Sequence, residues 1–70
     1  MVLSVDFCFR NSDVYIPFLR IPIDTSEELE TKILELIDYH IKNGDEIYYC
    51  NNYIEIDCDN GLRYLIFRRN

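Results

Sequence analysis

Alanine, glutamine and tryptophan are missing from this chain, and glycine and proline occur only twice each. Gly44 and Gly61 stand far apart, so neither a glycine-rich phosphate loop nor a nucleophile elbow can be assembled from them. The scarcity of proline and glycine, beside 49% hydrophobic and 14% aromatic residues, excludes a disordered or low-complexity chain. Positive charge is also scarce: seven Lys and Arg stand against thirteen Asp and Glu, a net charge of −6. Such a field opposes direct binding to a phosphate backbone.

Cysteine is limited to Cys8, Cys50 and Cys58, an odd number with no Cys-x-x-Cys spacing. A disulfide framework or a cysteine-rich zinc motif is therefore not expected, and the thiols read as reduced and unactivated. No long apolar run is present, and Met1 to Phe9 lacks a basic stretch ahead of its apolar residues. Neither a signal peptide nor a membrane span is expected, and a cytoplasmic location follows.

Seventy residues suit one domain, spanning residues 1–70 without a linker. Leu3, Val5, Phe7 and Phe9 alternate with polar positions and predict a strand. After the polar turn Arg10-Asn11-Ser12-Asp13, residues 14–23 predict a second, antiparallel strand, which Pro17 and Pro22 confine to a sheet edge. Thr25 and Glu28 have the spacing of a capping box. Leu29, Ile33, Leu36, Ile37 and Ile41 then recur on one helical face as far as the Asn43-Gly44 stop. Glu28 with Lys32 and Asp38 with Lys42 are spaced to pair along the outside of this helix.

Residues 46–50, 53–58 and 62–68 predict a three-stranded meander, joined by two-residue turns at Asn51-Asn52 and Asn60-Gly61. Closing both turns in this way opposes Ile47 to Ile56, Tyr49 to Ile54, Ile56 to Leu65 and Ile54 to Phe67. The fold class is α+β, in the order ββαβββ: a five-stranded, mostly antiparallel sheet with one helix packed on one face.

The same register gathers Glu46, Tyr48, Tyr53, Glu55, Asp57, Tyr64 and Ile66 on the face that the helix cannot cover, with Cys50 and Arg68 beside them. Tyrosines offer large contact area at low entropic cost, so these seven residues are the candidate partner-binding site. In the first hairpin Val2, Leu19, Ile21 and Ile23 cannot all point the same way as Leu3, Val5, Phe7 and Phe18. Apolar surface left over in this way favours a homodimer or a protein partner.

Glu46 opposite Asp57 invites a divalent cation, but no surrounding ligand set completes such a site, and a solvated acidic patch is the better reading. His40 falls within the apolar helical face and reads as a packed histidine holding one hydrogen bond. No catalytic constellation, metal site or cofactor is expected, and the chain is not read as an enzyme.

Eleven of the thirteen acidic residues lie between Asp24 and Asp59. The expected function is thus a small acidic protein-binding module: an inhibitor or adaptor that blocks a basic nucleic-acid-processing protein. By size and acidity it has the look of phage or other mobile-element proteins that counter host defences. An immunity protein or antitoxin covering a nuclease is an alternative. So is nucleic-acid mimicry by the acidic helix face of Glu27, Glu28, Glu35 and Asp38 combined with Asp45, Glu46, Glu55, Asp57 and Asp59. An alternative of another class is a metal- or ligand-dependent enzyme subunit with its site between protomers.

Overall fold

The computed structural model describes Met1–Arg69. Among the described residues five strands and one helix follow the order β1 (Val2–Phe9), β2 (Ile16–Pro22), α1 (Ser26–Lys42), β3 (Glu46–Tyr49), β4 (Tyr53–Asp57) and β5 (Leu62–Arg69). The strands form one sheet in the order β2-β1-β5-β4-β3, and every neighbouring pair is antiparallel. The expected α+β architecture is therefore present, with proline-bearing β2 at one edge and β3 at the other.

Both ends of α1 are set by local chemistry. The Thr25 hydroxyl accepts a hydrogen bond from the Glu28 amide at 3.1 Å, and the Glu28 carboxylate turns back to accept the Asp24 amide at 3.2 Å. That leaves Lys32 to pair with Glu35, at 3.5 Å, rather than with Glu28, whereas Lys42 meets Asp38 at 2.8 Å as the spacing predicts. At the other end Gly44 takes a φ of 78°, its amide reaching the Ile41 carbonyl while the Asp45 amide reaches the His40 carbonyl. This is the Schellman arrangement, and it fixes Asp45 beside the last turn of the helix.

The core lies between α1 and one sheet face. Leu3, Val5, Ile23, Ile56, Cys58 and Ile66 are buried there, flanked by Leu19, Ile21, Leu29, Ile33, Leu36, Ile47, Ile54 and Tyr64.

Two expectations about side-chain direction are overturned. First, Val5 pairs with Leu19 but Asp6 pairs with Pro17, so Phe18 is the extra residue of a β-bulge. The bulge resets the alternation of β2, and Leu19 and Ile21 join Leu3 and Val5 while Phe18 still stacks edge-on against Phe7. Val2, opposite Pro22, stays on the other face, and the apolar surface left over is that of Phe9, Ile16 and Phe18, which are exposed.

Second, the β4–β5 connection is a three-residue loop, Asp59-Asn60-Gly61. Its hydrogen bonds run from the Cys58 amide to the Leu62 carbonyl and from the Gly61 amide to the Cys58 carbonyl. A two-residue turn of the expected type needs positive φ at Asn60, whereas only Gly61, at 88°, has it. The register therefore moves by one residue: Ile54 opposes Ile66 and Ile56 opposes Tyr64. The β3–β4 pairing is the expected one, with Ile47 opposite Ile56 and Tyr49 opposite Ile54.

Candidate functional site

The corrected register redistributes the seven candidate residues. Glu46, Tyr48, Tyr53, Glu55 and Asp57 remain on the face away from the helix. Tyr64 and Ile66 turn to the helix side, where Ile66 is buried and Tyr64 lies between His40 and Phe7. A one-residue slip inverts every side chain of a strand, so Arg63, Leu65 and Phe67 take their places and Arg68 leaves with them.

This outer face has two unlike halves. Over β1, β2 and β5 its own side chains close it. Arg20 forms an ion pair with Asp6 at 2.8 Å, and the Arg20 and Arg69 guanidinium groups lie 5.9 and 5.6 Å from the centre of the Phe67 ring. Tyr15 reaches over Cys8 and Arg63, and burial followed by the Cys8 thiol pushes its hydroxyl pKa up. Ser4 and Cys8 are consequently buried although no helix covers them.

Over β3 and β4 the face is open. Tyr48 and Tyr53 are 45% and 41% exposed, with Leu65 half-buried between the strands that carry them and Asp6. Glu46 lies opposite Asp57, and Arg63, directly across from Asp57 on β5, relieves the repulsion: its Nε is 3.0 Å from Asp57 and 3.8 Å from Glu55. The Tyr48 hydroxyl donates to Glu46, which raises the tyrosine pKa. Exposed Tyr48, Tyr53 and Glu46, with half-buried Glu55 and Asp57 paired to one guanidinium, thus form a net-acidic patch that can meet a basic, partly apolar surface.

A second cluster lies on the helix side. The Schellman turn puts Asp45 against His40, and the end of β4 brings Cys58 to both. Asp45 Oδ2 is 2.8 Å from His40 Nδ1 and accepts from the Cys58 thiol at 3.4 Å, while Sγ and Nδ1 are 3.9 Å apart. His40 and Asp45 side chains are only 13% and 8% exposed. The cluster forms one wall of a cavity of about 680 Å³ between the helix end and the sheet, lined also by Phe18, Leu36, Tyr39 and Tyr64.

The arrangement does not make a nucleophile. A catalytic cysteine needs a base on one imidazole nitrogen and an orienting carboxylate on the other, whereas here Nδ1 faces both partners. Burial and the Asp45 carboxylate push the Cys58 thiol up to about 12, away from the thiolate. Sequence reading expected a packed His40 with one hydrogen bond and missed the cluster, in which Nδ1 faces both Asp45 and Cys58. The signal was the asparagine–glycine stop, since a Schellman motif brings the residue after the glycine against the one four positions before it. Comparison of the chain with protein-family models, with curated proteins and with solved structures finds no match.

Proposed function

We propose that the chain is a non-enzymatic protein-binding module that docks through the β3–β4 half of its outer sheet face onto a basic protein surface, and inhibits the protein that bears it. The observation that carries this reading is the grouping of exposed Tyr48 and Tyr53 with Glu46, Glu55 and Asp57 on the half of the face that no other described element covers. Aromatic anchors ringed by charge of one sign favour a partner of the opposite sign, and a surface evolved to hold phosphate backbones fits that description. Three unpaired thiols, with Cys50 exposed, support a reducing, cytoplasmic setting.

Capture from native-host extract tests the proposal, using immobilised wild type, Tyr48→Ala/Tyr53→Ala, Glu46→Lys/Glu55→Lys, and a helix-face control, Glu27→Lys/Asp38→Lys. The expected result is one basic protein held by wild type and control, lost from both sheet-face variants and released by high salt. Equal retention by all four proteins, or recovery of nothing beyond further copies of the chain, overturns it.

A further inference from the structure

We propose that His40 Nδ1, Asp45 Oδ2 and Cys58 Sγ form a three-donor site for a divalent transition-metal ion of the zinc class, with its fourth position turned toward the cavity. This site is separate from the outer sheet face and does not depend on the function proposed above.

The geometry carries the assignment. A tetrahedral ion at about 2.3 Å from sulfur and about 2.0–2.1 Å from nitrogen and oxygen holds its donors roughly 3.3–3.6 Å apart. The three separations here are 2.8, 3.4 and 3.9 Å: Oδ2–Sγ lies in that range, while the Nδ1–Oδ2 pair has to open by about 0.5 Å and the Nδ1–Sγ pair to close by about 0.3 Å. Coordination asks for shifts of a few tenths of an ångström in side chains that need not leave their elements. The backbone is fixed independently of any ion: the Gly44 turn sets His40 against Asp45, and the bond from the Cys58 amide to the Leu62 carbonyl holds the end of β4.

Chemistry narrows the ion. Thiolate with imidazole and one carboxylate is a mixed soft and borderline set that suits zinc or cobalt, whereas magnesium and calcium call for oxygen donors throughout. On binding, the thiol proton leaves to solvent and a Cys58 sulfur–metal bond replaces the hydrogen bond to Asp45. Any proton on His40 Nδ1 moves to the other ring nitrogen or to solvent, and the metal keeps its oxidation state. Three protein donors leave one position for water or a ligand from the cavity, whose other walls are largely apolar.

Cobalt(II) titration followed by absorption, with zinc titration by calorimetry, tests the site on the full chain. Wild type is expected to bind one ion, with the visible bands of tetrahedral cobalt and a near-ultraviolet thiolate charge-transfer band. Cys58→Ala should abolish the charge-transfer band. His40→Ala and Asp45→Asn should weaken zinc by more than the roughly 10–100-fold typical of losing a hydrogen-bonding neighbour of a ligand. Cys50→Ser, which removes the exposed thiol, should bind as wild type does, and circular dichroism verifies that each protein is folded. Absence of both signals in folded wild type overturns the proposal, as does a charge-transfer band that survives Cys58→Ala or is lost in Cys50→Ser.

Discussion

Single residues decide more of this structure than the overall pattern does. Gly44 and Gly61 both adopt positive φ, and a Cβ at either would meet nothing within 4 Å, so the cost of a side chain there is backbone strain alone. Gly44→Ala is expected to lower stability by about 1–2 kcal/mol, and Gly44→Asn by less, because asparagine tolerates the left-handed region better. Denaturant unfolding of the two variants tests the order, and equal stability of alanine and wild type would contradict it. Gly61 also shows why the sequence was only partly legible. Asparagine–glycine serves a two-residue turn and a three-residue loop alike, and the choice rests on whether Asn60 accepts positive φ, which spacing does not reveal.

At the scale of elements, the helix was the most readable part. Its cap, its apolar stripe and its stop are all local, and Thr25→Ala should cost about 1 kcal/mol through loss of the bond from the Glu28 amide. The strands were readable in number, order along the chain and edge position, but β5 was assigned the wrong face. Both alternating rows of Arg63 to Arg68 contain apolar residues, so burial alone did not choose between them. A pair of substitutions separates the registers. Ile66→Ala should destabilise by about 2–5 kcal/mol as a core truncation, and Leu65→Ala by clearly less because it is half-buried on the outer face. Thermal or denaturant unfolding in which Leu65→Ala proves the more damaging would restore the two-residue turn. The bulge at Phe18 was illegible for a related reason: Phe18, Leu19 and Ile21 keep strand composition throughout, and only the break in pairing between Val5 and Asp6 shows that the alternation restarts.

At the scale of the molecule, one helix and one sheet leave the β3–β4 half of the outer face uncovered by any described element. Among the described residues no helix is long and apolar enough to cross a membrane. The candidate site was legible where it depended on β3 and β4, whose register is as expected, and illegible where it depended on β5. Five of its seven residues therefore stay together, and Tyr64 and Ile66 belong to the core side. The Tyr48→Ala/Tyr53→Ala variant should unfold within about 1 kcal/mol of wild type, since both side chains are exposed, and a larger loss would mark the tyrosines as structural.

Site-directed photo-crosslinking in native-host cells asks whether the open β3–β4 surface, proposed as a protein-binding face, holds a partner. A photoreactive side chain at position 53 on that face is compared with one at position 30 on the exposed side of the helix. A discrete adduct with one basic protein is expected from position 53 and none from position 30. Adducts from position 30 alone, or from position 53 only to a second copy of this chain, would contradict that proposal.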